Sequence, residues 1–333
     1  MSDPNQEFQA PPPPTSLLPP EAPRPVKLRP VAIGLFVVGL LVAVAGIAKI
    51  LPGGIGTGAA FAFWGILLFA FSFIRLPQVT AADEPPISGV GKVAGIFYEP
   101  TRVFRNLRYH PHWLAALVVI VVFSGAYSTA FVQRLTAERV IDYKYEKMEQ
   151  SPIKPPPERM ASSKQAELEA AKQPIQRVET VAMSFVGVFA FASFLAALYL
   201  LGILAFGGRI NFWQALAATL YSLVPITIIT KSLSLLILFI KAPEDIHPIL
   251  GSETLVQDNL GVLFKPAEHP VFFVLGASIG VLSLYGLWLR AKGLQHSATK
   301  VSNSAAWGVA ITFWLIGLLL LTVFTSFFSA FIS

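Results

Sequence analysis

From Trp213 to Ile240 the chain reads WQALAATLYSLVPITIITKSLSLLILFI, an apolar stretch whose only charge is Lys231. A helix needs about 20 apolar residues to cross roughly 30 Å of hydrocarbon, and this stretch exceeds that length. Its uninterrupted hydrophobicity excludes a membrane β-barrel, whose strands are about half as long and alternate in polarity. Six further runs have the same character: Val31–Leu51, Thr57–Leu76, Trp113–Gln133, Glu179–Phe206, Pro270–Arg290 and Ala306–Ile332. The expected fold is therefore all-α, a polytopic helical membrane bundle of about seven transmembrane helices. Composition agrees, since 54% of the residues are hydrophobic and only 13% charged, a balance rare in water-soluble globules.

The Lys and Arg residues set the expected orientation. Arg24, Lys27 and Arg29 precede the first run, and Arg75, Lys92, Arg102, Arg105 and Arg108 lie between the second and third. Arg209 falls in the fourth-to-fifth turn, and Arg290, Lys292 and Lys300 follow the sixth run. With alternating spans these share one face, which reads as cytoplasmic and gives an N-inside, C-outside topology. The segment from Arg134 to Arg177 opposes this with nine basic residues on the outer side, nearly balanced by acidic ones. A second reading of the first span is a cleaved signal with Ala43-Val44-Ala45 at the cut, although the apolar run continues to Leu51. The expected location is the cytoplasmic (inner) membrane of a bacterium.

The domain organisation follows. Residues 1–30 hold ten of the 26 prolines and read as a disordered, proline-rich cytoplasmic tail. Residues 31–76 form an N-terminal transmembrane hairpin, 77–112 a cytoplasmic linker, and 113–333 a five-span bundle. In the linker, Ile96, Phe97, Val103, Phe104 and Leu107 alternate with Arg102, Arg105 and Arg108, the pattern of an amphipathic helix in the headgroup region. Arg102, Phe104, Arg105, Arg108 and Trp113 are its expected interfacial anchors. Within the bundle, residues 134–178 read as an extracytoplasmic helical hairpin: Ala137, Ile141, Tyr145 and Met148 share one face, Pro152 and Pro155 to Pro157 stop the first helix, and Leu168 and Ala171 suggest its return.

Sites for chemistry are sparse. The chain has no cysteine, which removes disulfides, thiolate metal sites and cysteine nucleophiles. Gly54-Ile55-Gly56-Thr57-Gly58-Ala59 has dinucleotide-fingerprint spacing, but it joins two membrane runs and lacks the strand–turn–helix setting that aims a helix N-terminus at pyrophosphate. His110-Pro111-His112 is a weak metal hint at most. No catalytic, cofactor-binding or metal site is assigned and no cofactor is expected. The net charge of +6 is scattered among loops, so nucleic acid is not an expected partner and anionic lipids of the bilayer are.

The candidate polar site lies in the fifth run. Pro225 removes a backbone donor in mid-helix, and Thr219, Thr227, Thr230, Lys231 and Ser234 fall within an arc of about 120°. An intramembrane ionisable group is a functional-site hypothesis, against which stand snorkelling of Lys231 and hydroxyl bonding between helices. In the sixth run, Gly276 and Gly280 form a G-x-x-x-G pair suited to helix packing within the bundle or in a homodimer.

Glu99-Pro100-Thr101-Arg102-Val103-Phe104 leading to His110-Pro111, then Asn211-Phe212-Trp213-Gln214-Ala215-Leu216-Ala217 with Tyr221 and Pro225, and finally Tyr285-Gly286-Leu287-Trp288 with Gly293-Leu294, together resemble the Yip domain family over about residues 95–333. The resemblance implies a five-span core with the N-terminus inside and the C-terminus outside, and makes Pro100, Phe104, Tyr221 and Pro225 family motif positions. Two extra spans and the proline-rich tail depart from that core, so eukaryotic trafficking or Rab binding is not carried over. The functional expectation is an integral membrane protein without enzymatic activity that organises lipids or partner proteins. The alternative is a small transporter or lipid-moving protein using the Pro225-kinked face.

Overall fold

The computed structural model describes residues 28–48, 62, 65, 66, 69, 85–151, 154–172 and 174–331. The proline-rich tail before residue 28, the Gly54–Ala59 turn and most of the Thr57–Leu76 run lie outside them. The chain divides into Met1–Pro85 and Pro86–Ser333. In the first unit, α1 (Leu28–Ile47) exposes Ile33, Val37, Leu40, Leu41, Val44 and Ile47, as a helix solvated by acyl chains would. Gly65 lies against its backbone, so that a Cβ there would come within 2.6 Å of Phe36 N.

The second unit is helical throughout, with no strand among the described residues and two isolated bridges, Arg209 with Thr299 and Asn259 with Gly280. It starts with α2 (Gly89–Tyr98) and α3 (Pro100–Tyr109), continues in α4 (Leu114–Leu135), and leaves the bundle as α5 (Ala137–Glu149) and α6 (Pro157–Ala171). It returns in α7 (Pro174–Ala205) and α8 (Phe212–Ile240). A long loop then carries the four-residue α9 (Leu250–Glu253), followed by α10 (Pro270–Ala277), α11 (Val281–Ser297) and α12 (Asn303–Phe327). Four of these helices contain stretches long and apolar enough to cross a membrane: Leu114–Leu135, Met183–Ala205, Phe212–Ile240 and Asn303–Phe327.

Local chemistry sets the boundaries. Asn211 and Gln214 form a reciprocal capping box at the start of α8, with both side-chain-to-backbone bonds at 2.9 Å. Thr136, at φ 70°, ends α4, and its hydroxyl accepts from Arg139 N to begin α5. Pro174 stands at the first position of α7, where a missing N–H costs nothing, so it opens the helix rather than kinking it. The α5–α6 hairpin closes over Ile141, Tyr145 and Met160, flanked by Met148, Leu168 and Ala171. Two cross-hairpin ion pairs, Lys144–Glu167 at 2.8 Å and Lys164–Asp142 at 2.9 Å, edge this small core.

The sixth apolar run, Pro270–Arg290, is not one helix. Its helix stops at Ala277 and resumes at Val281, leaving Gly280 extended at φ −141°, ψ 168°. The Gly276 and Gly280 pair therefore does not line one helix face. Both glycines instead receive the 258–261 segment: a Cβ on Gly276 would lie 2.8 Å from Gly261 N, and one on Gly280 2.8 Å from Asn259 Cβ. The same segment satisfies the helix end, since the Asp258 carboxylate accepts from Leu282 N at 2.7 Å and the Asp258 carbonyl from Val281 N at 3.3 Å. Hydropathy alone does not register this break, because the backbone groups it frees find partners in a segment some twenty residues earlier.

Gly276→Ala is expected to lower stability by about 1–3 kcal/mol through overpacking. Gly187→Ala in α7, where a Cβ would meet nothing within 4 Å, is expected to be neutral or slightly stabilising. Thermal unfolding in detergent of the two variants beside the wild type checks the contrast.

Candidate functional site

Lys231, on α8, is half-buried and engaged by the loop that follows its helix. Its ammonium donates to the Glu253 carbonyl at the end of α9 and lies 4.8 Å from the centroid of the Tyr127 ring of α4. Tyr127 in turn donates its hydroxyl to the Gly251 carbonyl. Three residues along α8, the buried Ser234 hydroxyl accepts from Leu255 N at 3.0 Å and sits 3.1 Å from Thr254 Oγ1. The 246–255 segment is thereby held against the bundle, over a cluster of Tyr127, Phe131, Leu135, Leu238 and Ile246. Gly251 sits at a close approach, where a Cβ would meet Ile246, Phe131 and Leu255 side chains at 3.0 to 3.2 Å.

The same loop is tied from its other side. Arg134 reaches the Lys241 carbonyl at 3.4 Å and Arg139 that of Pro243 at 2.8 Å. His247 accepts from Ile249 N and Leu250 N through Nδ1, which leaves its neutral ring with the proton on Nε2, 3.1 Å from the Tyr143 hydroxyl.

The remaining members of the predicted arc divide. Thr219 is buried and donates to Ala215 O of its own helix at 2.8 Å. Pro225 is buried inside an α8 that runs continuously through it. Thr227 and Thr230 are half-buried. Only Lys231 and Ser234 are thus drawn together, and by a loop rather than by each other. Among the described residues no cluster of three or more His, Asp or Glu forms a metal site.

The linker helices are the second feature. Val103, Phe104, Asn106 and Leu107 of α3 are buried, while Arg102 and Arg105 remain exposed. Phe104 packs on Gly293 of α11, where a Cβ would lie 3.1 Å from the ring, and its carbonyl accepts from Ser297 at 3.1 Å. Gln214 of α8 donates to the Arg108 carbonyl at 2.5 Å, and Arg108 Nε to the His296 carbonyl at 3.1 Å. The apolar face expected to meet acyl chains is therefore spent on protein. Trp113 stacks on Trp213, with centroids 6.2 Å apart and planes 11° apart, and also leans on Phe189.

In the sequence Lys92 reads as one more linker charge. Its side chain is 0% exposed, and its ammonium donates to the His110 carbonyl, the C-cap of α3, at 2.6 Å. A cation there offsets the partial negative charge of the helix end. Burial nevertheless dominates, pushing its pKa down to about 8. The signal for Lys92 was its place in the otherwise uncharged GVGKVAGIFY of α2. For Tyr127 it was a phenol in mid-span, whose hydroxyl needs a partner in an apolar setting.

Lys231→Met is expected to cost about 1–2 kcal/mol from the lost hydrogen bond and cation–π contact, and to speed hydrogen exchange across 250–255 while leaving α5–α6 unchanged. Lys92 is expected to titrate near 8, read by NMR of the 13C-methylated amine. Because the folded value lies below the unfolded one, the unfolded chain binds more protons between about pH 8 and 10.5, and stability rises with pH across that window. Titration of Lys92 at its ordinary value would contradict its burial.

A family model of the Yip1 domain matches residues 94–324. No curated protein and no solved structure matches the chain. The match runs from the second half of α2 through nearly all of α12, and so includes α3 docked on the bundle and the loop held by Lys231. This all-α integral membrane protein belongs to the Yip1 domain family.

Proposed function

We propose that this protein is a non-enzymatic organiser of lipids or partner proteins in the cytoplasmic (inner) membrane of a bacterium, built as seven spans with its N-terminus inside and its C-terminus outside. On this reading 31–76 is an N-terminal hairpin, 77–112 the cytoplasmic linker and 113–333 the five-span core, with 134–178 outside the membrane. The observation that carries the reading is the pairing of Lys231. A cation on a conduction path presents its charge to a hydrated cavity, whereas this one is engaged by a carbonyl and an aromatic ring. Its engagement turns the polar face of α8 into an attachment for the loop.

The α5–α6 hairpin supports the same reading. Its core is small, its two ion pairs lie at half-exposed positions, and such pairs add little stability in water. A charged helical hairpin carried on a tightly packed bundle suits the capture of a partner, or of a second copy of the chain, better than it suits a gate.

In proteoliposomes, neither the wild type nor Lys231→Met is expected to carry fluorescent lipid analogues or small anions above the protein-free rate. Wild-type flux that falls in Lys231→Met would overturn the organiser reading in favour of a transport path along α8. Deletion of residues 137–171 is expected to abolish partner co-purification or self-association while the remaining bundle stays folded, somewhat destabilised by loss of the Arg139 and Tyr143 ties to the loop. Unchanged association would remove the hairpin from the function.

A further inference from the structure

The long loop after α8 descends along the bundle instead of resting on its end. Helix α4 sets the scale, because from Trp113 to Arg134 it advances about 32 Å, the thickness of a hydrocarbon layer. Trp113 stands at one end, and indole rings at the ends of membrane helices mark the headgroup level. At the other end Arg134 donates to the Lys241 carbonyl at 3.4 Å, where α8 also stops. The chain turns polar there, with Glu244 and Asp245 following Lys241. Two basic residues at adjoining helix ends place the second apolar boundary at this level.

From that boundary the loop goes inward. Ser234 lies seven residues before Lys241 on α8, about 10 Å below it, and its short side chain accepts from Leu255 N at 3.0 Å. Tyr127 and Lys231, which hold the Gly251 and Glu253 carbonyls, lie about 10 and 15 Å below the same helix ends. The later limb gives the same depth. A Cβ on Gly293 of α11 would lie 3.2 Å from Ser222 Oγ, and one on Gly286 3.5 Å from Ile226 Cγ1. The two helices therefore run antiparallel, and five residues beyond the second contact Val281 stands level with Lys231. Asp258, Asn259 and Leu260 pair with Ile279 to Leu282 at that level. The eight residues of α10, about 12 Å of helix, bring the chain down to the same break.

Non-helical backbone is tolerated at such depth only where its polar groups are answered. Beyond the bonds from Tyr127, Lys231 and Ser234, Leu260 N donates to the Ile279 carbonyl at 3.1 Å, Gly261 N to Asn259 Oδ1 at 3.0 Å, and Val281 N to the Asp258 carbonyl at 3.3 Å. The outward side of the segment is apolar. Leu260, Val262 and Leu263, in a short 3₁₀ turn, are exposed, Leu263 at 71%. The patch continues into the first turn of α11, where Val281 is 73% exposed and Leu284 is exposed as well. Lys265 and Glu268, exposed and paired at 2.8 Å, follow at once where the chain climbs back to the boundary.

We propose that residues 246–264 form a re-entrant segment, which enters the leaflet at the Arg134 end of α4 and presents Leu260, Val262 and Leu263 to its acyl chains. The proposal goes beyond the organiser reading and needs only that α4 and α8 cross the membrane. Acyl chains are the occupant because the patch lies below the ends of both helices and is continuous with the exposed apolar start of α11. The ties at Lys231 and Ser234 then serve to keep a polar backbone answered inside the hydrocarbon.

A chain without native cysteine takes a nitroxide label at one chosen position. Full-length Leu260→Cys, Val262→Cys and Leu263→Cys, labelled and reconstituted in phosphatidylcholine liposomes, are compared by electron paramagnetic resonance with two references. Leu236→Cys lies on the exposed apolar face of α8, and Glu149→Cys at the exposed end of α5. Relative to Glu149, collisions with oxygen are expected to rise and those with a water-soluble nickel chelate to fall several-fold at all three loop positions, as at Leu236, with Leu260 deeper than Leu263. These side chains are exposed, so the thermal unfolding of each labelled chain in detergent is expected to match the wild type. Chelate access at Leu263 equal to that at Glu149 would place the loop in water and overturn the proposal. Low access to both reagents would mean that protein, a second copy included, covers the patch, and would overturn it equally. Flux through the protein would defeat the organiser reading without moving these depths.

Discussion

Basic side chains in this molecule bond to the carbonyls at the ends of helices. Lys92 caps α3 at His110, Arg108 meets α11 at His296, Arg134 reaches the C-cap of α8 at Lys241, and Lys231 closes α9 at Glu253. Each helix end leaves carbonyls without an intrahelical partner, and apolar surroundings make those orphans costly. A cation supplies a donor and also answers the negative end of the helix dipole. The first of these bonds joins the two linker helices, the second joins α3 to α11, and the other two help hold the long loop and its short helix against the bundle.

This use of charge accounts for two similar residues. Lys92 and Lys231 each sit in an apolar helix, and each could have marked a conduction path. Both donate instead to a backbone carbonyl from another part of the chain.

The long helices were legible in the sequence because length and hydropathy suffice for α4, α7, α8 and α12. The α5–α6 hairpin was legible as well, from the face shared by Ile141 and Tyr145 and from the prolines between its helices. The break at Ser278–Gly280 was not, since Gly and Ser are ordinary in membrane helices and the decisive partner, Asp258, is distant in sequence. The arc on α8 was visible, but its meaning depended on Tyr127 and the Glu253 carbonyl, which no helical periodicity brings near Lys231. For α3 the amphipathic pattern located the buried face, but the headgroup-level helix it suggests assigns to lipid a face that α11 covers.

The attachment of the loop at Lys231 is tested most directly by cross-linking, and a chain without native cysteine makes this clean. Ser234→Cys with Thr254→Cys replaces two hydroxyls 3.1 Å apart, close enough for a disulfide to form with small adjustment. In native membranes under mild oxidation, rapid and near-complete cross-linking is expected, with slower and partial cross-linking when Lys231→Met is added. Absence of a cross-link, or an equal rate with and without Lys231, would contradict the account.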